Sequence, residues 1–134
     1  MELVERPLND LAFARPGDKG DTSDISLFAS DAEVFNLLVD QVTTERVRHL
    51  YGELVRGEII RYEVPGILAL KFVLTRALGG GGPSSLRADN LGKALGGALL
   101  RLPILVPADV WARVGDRPHP PHDPYASTEW VIRD

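Results

Sequence analysis

Hydrophobic and polar residues alternate in two neighbouring segments near the start of the sequence, a pattern typical of β-strands with one buried face. The first segment, 9–15, has Leu11 and Phe13 as its apolar positions, and the segment 24–29 repeats the alternation. The residues between them, 16–21, are rich in Gly, Pro and Asp, which favour turns. We therefore predict a hairpin with an enlarged tip.

A helical spacing of apolar residues follows the hairpin. Ser30 and Glu33 match a capping box, which predicts that a helix begins at Ser30. Apolar residues then recur at helical spacing across 34–51, β-branched residues interrupt them at 42–44, and Gly52 is suited to end a helix. We predict two consecutive helices or one kinked helix.

Two apolar segments follow. The segment 58–64 alternates again and is closed by Pro65, so we predict a strand with one solvent-exposed face. The segment 67–78 is apolar on nearly all sides and runs into four glycines, which favours a buried helix, although Val73 and Leu74 also fit a strand.

A glycine-containing helix is predicted over 90–101, with Asp89 as its N-cap. Gly92, Gly96 and Gly97 weaken it, because each interior glycine costs about 1 kcal/mol relative to alanine. Their presence predicts that another backbone packs close to this helix.

The composition changes after residue 107. We predict one α+β domain over 1–107, followed by a Pro/His-rich arm and a terminal strand over 108–134. Four prolines make 115–124 an extended, polyproline-like segment. The final strand, 128–132, can dock on the parent domain or on the sheet edge of a neighbouring subunit.

Composition narrows the functional classes. The 134 residues are 44% hydrophobic and 25% charged, as in one ordinary globular domain. A net charge of -4 argues against nucleic acid as a partner, and the absence of cysteine excludes disulfides, thiolate nucleophiles and Cys-ligated metals. No apolar stretch reaches the roughly 20 residues of a membrane span, and the acidic first residues do not resemble a secretory signal, so we expect a cytoplasmic protein.

The segment from Arg15 to Asp24 is dense in charge and contains two glycines. Free backbone N–H groups beside Arg15 and Lys19 can hold a carboxylate or phosphate, although the Walker spacing is absent. Asp18, Asp21 and Asp24 can hold a hard cation, but the EF-hand spacing is also absent. A solvated hairpin tip with internal ion pairs is the third interpretation, and the residues alone favour it.

The four consecutive glycines at 79–82 form a second candidate loop. They let a ligand or another chain approach the backbone closely, and a flexible linker is the competing interpretation. His119 and His122 are too far apart along a polyproline helix to share a metal easily, and His49 fits a solvated helix end. We predict no metal site and no cofactor.

Several ordered blocks of the sequence resemble the AtuA-like family, meaning the C-terminal ferredoxin-fold-like domain of acyclic terpene utilisation proteins. The resemblance covers roughly Leu8 to Pro107. The blocks are Leu11-Ala12-Phe13-Ala14-Arg15, Gly17-Asp18-Lys19-Gly20-Asp21, Leu68-Ala69-Leu70, Phe72-Val73-Leu74, Ala77-Leu78-Gly79-Gly80-Gly81, Ser85-Leu86-Arg87 and Gly92-Lys93-Ala94-Leu95.

The resemblance implies a ferredoxin-like two-layer α+β sandwich, with a mostly antiparallel sheet and helices on one face. It also implies attachment to, or encoding beside, a larger partner in acyl-CoA-linked breakdown of terpenoid or branched acids. Asp24 and Lys71 stand where similar sequences are expected to carry asparagine.

Two functional hypotheses follow. The first is an accessory or subunit-like domain that binds a larger AtuA-type protein or forms a homo-oligomer. The second is a binding protein or enzyme for an anionic small molecule such as an acyl-CoA, with no catalytic residue assigned. Its candidate ligand-binding residues are Arg15, Gly17, Asp18, Lys19, Gly20, Asp21, Gly79, Gly80, Gly81, Gly82, Ser85 and Arg87.

Overall fold

The computed structural model describes residues 2–19, 22–77 and 94–115, and only the backbone of residues 18 and 19. The strands are β1 (Leu3–Pro7), β2 (Ala12–Lys19), β3 (Thr22–Ala29), β4 (Ile59–Val64), β5 (Ala69–Leu74) and β6 (Pro103–Pro107). The helices are α1 (Ala32–Gln41), α2 (Thr44–Tyr51), α3 (residues 94–99) and α4 (Ala108–Val114).

The main sheet has four antiparallel strands in the order β2-β3-β5-β4. The predicted hairpin is confirmed, because β2 pairs with β3 from Ala12 opposite Ala29 to Lys19 opposite Thr22. The predicted buried helix over 67–78 is wrong, since its central part is β5. β5 lies between β3 and β4, and it reads as apolar on nearly all sides because its outer face carries the apolar Ala69 and Val73 while Leu70 and Phe72 fill the core.

The helices cover one face of this sheet and build the core with it. Ile25, Leu27 and Phe72 from the sheet are fully buried against Leu38 of α1 and Val47 of α2. The prediction of two consecutive helices is confirmed. The α+β fold with antiparallel sheets is consistent with a ferredoxin-like domain.

The first helix begins one residue later than predicted. Asp31, not Ser30, is the N-cap, and its carboxylate accepts a hydrogen bond of 2.9 Å from the Val34 amide. Glu33 is therefore not the reciprocal partner of a capping box. Its carboxylate accepts a hydrogen bond from Arg113 of α4 instead, and Arg113 also bonds Asp31 at 2.6 Å.

A second sheet of two strands, β1 and β6, was not predicted from the sequence. Prolines stand at the ends of both strands and are more typical of turns, so neither segment was recognised as a strand. Ile104 and Val106 nevertheless alternate with exposed residues and are fully buried. The core continues past the expected boundary at Pro107, because Val110 and Val114 of α4 are buried in it.

Three polar side chains fasten the sheets to the helices. The Gln41 amide bonds both the N–H and the C=O of Leu105, at 2.8 and 2.7 Å, and so occupies the outer edge of β6. The Arg61 guanidinium donates to the carbonyls of Val39 and Val42 at the end of α1. Arg6 lies 4.6 Å from the centroid of the Trp111 ring, a cation–π contact.

Gly96 and Gly97 of α3 have different surroundings. A Cβ at buried Gly96 would be in ordinary contact, 3.9 Å from the Cβ of Pro16, and a Cβ at Gly97 would meet nothing described within 4 Å. The prediction that another backbone forces both glycines is therefore not supported by the described neighbours. Asp89 and Gly92 lie outside the described residues, as do 116–134. None of the helices in the described part of the chain is long and apolar enough to cross a membrane.

Candidate functional site

The predicted charged loop belongs mostly to a strand. Arg15, Gly17, Asp18 and Lys19 continue β2 in register with β3, so the enlarged hairpin tip is wrong. Pro16 is tolerated within β2 because β2 is an edge strand, where one side of the backbone needs no partner. Gly20 and Asp21 lie outside the described residues.

The geometry around Gly17 explains the glycine. A Cβ at this position would lie 2.6 Å from the Oδ1 atom of Asp24, which is its partner on β3. The fully buried Ser23 donates a hydrogen bond of 3.2 Å to the Gly17 carbonyl oxygen. The Asp24 side chain therefore lies across Gly17, on the face of the sheet away from the core.

This outer face carries exposed side chains in the described part of the chain. None of the described helices packs on it, since α1, α2 and α3 all contribute to the core on the opposite face. The strand register sets its side chains in three rows across β2, β3, β5 and β4. The rows are Phe13, Phe28, Ala69 and Val64; then Arg15, Ser26, Lys71 and Tyr62; then Gly17, Asp24, Val73 and Ile60.

The first row contains stacked aromatic rings. The centroids of Phe13 and Phe28 are 5.0 Å apart and their planes differ by 17°. Neither ring is buried, and Val64 at the end of the row is 37% exposed. The prediction that Phe13 faces the core is wrong, because Ala12 occupies the buried side of the strand.

The charged residues of the face form an ion pair. Lys71 Nζ lies 3.6 Å from Asp24 Oδ2, and both side chains are partly exposed. These are the two positions at which the sequence departs from the asparagines that the resemblance implies. Asp24 and Lys71 lie on the neighbouring strands β3 and β5, and their charges are opposite. A half-exposed ion pair of this kind contributes at most about 1 kcal/mol to the free energy of unfolding.

Described residues on both sides of the glycine-rich segment lie near the hairpin. Leu74, close to the start of that segment, pairs with Ser23 at the hairpin end of the sheet. On the far side of the segment, Gly96 of α3 neighbours Pro16. The remaining candidate positions lie outside the described residues; they are Gly79, Gly80, Gly81, Gly82, Ser85 and Arg87.

A buried tyrosine holds α3 in place. The Tyr51 hydroxyl donates a hydrogen bond of 2.5 Å to the carbonyl oxygen of Leu95, which joins α2 to α3. Tyr51 is only 3% exposed, and this burial raises the pKa of its hydroxyl. The tyrosine therefore remains neutral and acts as a donor.

An open groove of about 460 Å³ is lined by residues of α2 and of the loop before β4. Arg48 in that groove is already engaged, because it donates to the carbonyls of Val55 and Gly57. Among residues 2–19, 22–77 and 94–115, no group of three or more His, Cys, Asp or Glu side chains is arranged to hold a metal.

Sequence reasoning found the β2–β3 hairpin but missed the outer face. Tyr62 and Val64 were taken as the apolar side of a strand whose wet face carries Arg61 and Glu63, which is wrong because Tyr62 and Val64 are exposed. Lys71 was assigned to a helix. The register of β5 is what brings Phe28, Lys71 and Tyr62 onto one surface. The alternation within 24–29 was the available signal, because Phe28 falls on the side opposite to Ile25 and Leu27.

Comparisons with known proteins identify a family for most of the chain. Neither a curated protein nor a solved structure gives a match to the chain. The family described as AtuA ferredoxin-like domain matches residues 6–105, which include the four-stranded sheet and both of its faces. The chain therefore belongs to the AtuA ferredoxin-like domain family.

Proposed function

We propose that this chain is an accessory, subunit-like domain in acyl-CoA-linked breakdown of terpenoid or branched acids. It works in an assembly with a larger AtuA-type protein or with copies of itself. The outer face of the four-stranded sheet is the surface through which it assembles. The catabolic setting follows from the family resemblance, and the assembly role follows from this surface.

One observation carries the proposal. Tyr62 and Val64 on the outer face are 51% and 37% exposed, and the Phe13–Phe28 stack beside them is only partly covered. Contiguous exposed apolar surface on a small domain marks an interaction site more often than it marks simple solvent contact. Aromatic residues are also enriched at the centres of protein interfaces.

Co-purification with a protein that contains the larger AtuA-type domain tests this role. We expect the unaltered chain to bind it, and Val64→Glu to abolish binding by placing a charge on the apolar face. Leu54→Glu is the matched control, because Leu54 is 55% exposed and precedes the strand β4. Binding that survives Val64→Glu, or no binding together with a monomeric chain, contradicts the proposal.

A second candidate function is binding of an anionic small molecule such as an acyl-CoA. Arg15 and Lys71 flank Ser26 in one row, so their Cα atoms stand about 10 Å apart across two strand spacings. Leu74 and Gly96, the described residues on either side of the glycine-rich segment, also lie near the hairpin. Arg15 and Lys19, with 79–87, would then hold the anionic group.

A thermal shift measurement with coenzyme A and acyl-CoAs tests the second candidate. A ligand at about 100 times its dissociation constant adds about 2.7 kcal/mol to the free energy of unfolding. We expect that shift to disappear in Arg15→Ala and in Lys19→Ala. Equal shifts in the variants and the unaltered chain would remove these residues from the site.

A further inference from the structure

We infer that the edge strand β4 pairs antiparallel with β4 of a second copy, which joins two four-stranded sheets into one continuous sheet. This pairing goes beyond the proposed function, because it uses backbone hydrogen bonds at an edge of the sheet and not the side chains of the outer face. The unbonded backbone groups of β4, and the way in which its charges match a second copy of the strand, support it.

Every second residue of β4 has backbone groups that point away from the sheet. At the start of the β4–β5 ladder the Glu58 carbonyl oxygen accepts a hydrogen bond of 3.0 Å from the Thr75 amide. Because antiparallel ladders alternate, the β4 residues that bond β5 are those with side chains on the outer face. The N–H and C=O groups of the residues between them point outwards, and no hydrogen bond within the described part of the chain uses these groups. These residues are Ile59, Arg61 and Glu63.

The other strand edges of the described structure are protected. The Gln41 amide bonds both backbone groups of Leu105 in β6. Pro16 in β2 and Pro7 at the end of β1 have no N–H to offer to another strand. β4 has no proline and no side chain bonded to its outward backbone groups. It is therefore the open edge, and an open edge is a template for pairing with another strand.

β4 can be approached from both faces of the sheet. On the outer face, Tyr62 is 51% exposed and Val64 is 37% exposed. On the opposite face, the Glu63 side chain is 49% exposed, so the helices do not cover this end of the strand. At the other end of the strand, Ile59 lines the open groove beside α2. A second strand thus has room along the edge.

The charges of β4 match a second copy of the strand. When a two-fold axis passes through Tyr62, Arg61 stands opposite the partner's Glu63. Both residues have outward backbone groups, so each donates its N–H to the carbonyl oxygen of the other, and the two-fold axis repeats these bonds. Within one copy Arg61 already lies 3.1 Å from Glu63, so the four side chains alternate in sign across the junction. Opposite charges in directly facing positions stabilise a strand pair.

The other side of the junction is apolar in the same register. Tyr62 stands opposite the partner's Tyr62, and Ile60 stands opposite the partner's Val64. These side chains lie on the outer face, where each copy exposes them. Aromatic and β-branched pairs of this kind also stabilise facing strands.

The alternative registers place like charges together. Moving the two-fold axis to Arg61 sets this cation opposite the partner's Arg61. Moving the axis to Glu63 sets this carboxylate opposite the partner's Glu63. Like charges in directly facing positions are destabilising. The strand is therefore self-complementary in the register centred on Tyr62, which is what a two-fold interface requires.

Hydrogen exchange of individual backbone amides, followed by NMR, measures this pairing. In the dilute chain the amides of Arg61 and Glu63 should exchange rapidly, whereas those of Tyr62 and Val64 are protected by β5. We expect Arg61 and Glu63 to become protected as the concentration rises. In sedimentation equilibrium the average mass should rise over the same range, from the 14.7 kDa of one chain towards twice that value.

A proline at residue 63 tests the backbone bonds. Glu63→Pro removes an outward N–H and leaves the β4–β5 ladder intact. One bond is lost on each side of the two-fold axis, so we expect the dissociation constant to rise at least about tenfold. Glu5→Pro is the matched control, because Glu5 is opposite Leu105, whose backbone groups also point out of their ladder. It should leave the dissociation constant unchanged, and circular dichroism verifies that both variants are folded.

A charge reversal tests the facing pair without a change in the backbone. Glu63→Lys sets a cation opposite the partner's Arg61 at both symmetric positions, and we expect it to weaken the dimer as well. The weakening should shrink at high salt, where exposed charges are screened. A dimer as strong as that of the unaltered chain at low salt contradicts this register.

The outcomes separate this inference from the proposed function. Protection of Arg61 and Glu63 that appears with the dimer, and a dimer weakened by Glu63→Pro but not by Glu5→Pro, support the β4 pairing. A dimer in which these two amides still exchange rapidly overturns it and places the interface elsewhere. A chain that is monomeric at every concentration also overturns it, while binding of a larger AtuA-type protein that Val64→Glu abolishes leaves the proposed function standing. Protection that appears only with that larger protein assigns the edge to it and overturns the pairing of two copies.

Discussion

Replacing Tyr51 with phenylalanine isolates the bond that joins α2 to α3. The change removes only the hydroxyl that donates to the Leu95 carbonyl and keeps the buried ring. A hydrogen bond of this kind contributes about 1 kcal/mol net, and leaving the buried carbonyl short of a partner adds to the loss. We therefore expect the free energy of unfolding to fall by about 1–2 kcal/mol, which lowers Tm by roughly 4–8 °C for a domain of this size.

The same substitution has a pH signature with a defined sign. Burial raises the pKa of Tyr51 in the folded state. Below about pH 10 both the folded and the unfolded state hold the tyrosine proton. Above that pH the unfolded state loses the proton and the folded state retains it. The unfolded state then binds fewer protons, so stability falls as pH rises, by up to about 1.4 kcal/mol per pH unit.

Urea unfolding of the unaltered chain and of Tyr51→Phe, from about pH 8 to about pH 11, measures both effects. The unaltered chain should be the more stable at the lower pH, and its advantage should shrink at the higher pH because phenylalanine does not titrate. Tyr62→Phe is the control, since Tyr62 is 51% exposed and should change neither result. Equal stability at the lower pH, or parallel pH curves, would refute the buried hydrogen bond and its energetic role.

Three further substitutions test the packing of the fold. Gly57→Ala should lower the free energy of unfolding by about 1–3 kcal/mol in urea melts, because its methyl group would lie 2.5 Å from the backbone oxygen of Thr75; an unchanged midpoint contradicts this close approach. Gly97→Ala should raise it by about 1 kcal/mol, because its Cβ meets nothing described within 4 Å; a loss would mean that another segment occupies that space. Arg113→Gln should lower Tm at low salt, because it removes the ion pairs with Asp31 and Glu33. The difference in Tm should shrink near 1 M salt, where the Debye length is about 3 Å. A difference independent of salt would contradict an electrostatic contribution of these ion pairs.

The sequence correctly predicted the elements that depend on residues close together in the chain. Turn residues predicted the hairpin, and helical spacing predicted the two consecutive helices. The end of α2 was predicted from Gly52, which has a φ of +55°. β5 was missed because apolar residues stand on both of its faces, so periodicity does not separate a strand from a helix there. β1 and β6 were missed because their pairing joins residues about 100 positions apart in sequence, and no local signal carries that pairing.

The candidate site was predicted in its location but not in its form. The turn chemistry of 16–21 correctly drew attention to the β2–β3 hairpin, yet Arg15 and Gly17 lie on a strand and not on a loop. The ion pair between Asp24 and Lys71 depends on the β3–β5 register, which periodicity does not reveal. Whether the glycines at 79–82 join this surface stays a prediction.

The central claim is that the outer face of the four-stranded sheet is an assembly surface. Hydroxyl-radical footprinting of the chain, dilute and concentrated, and with a larger AtuA-type protein, measures the accessibility of its side chains one by one. The account predicts that Phe28, Tyr62 and Val64 lose reactivity in at least one of the assembled states, while Leu54, which is 55% exposed, does not change. Constant reactivity of Tyr62 and Val64 in an assembled sample would contradict it.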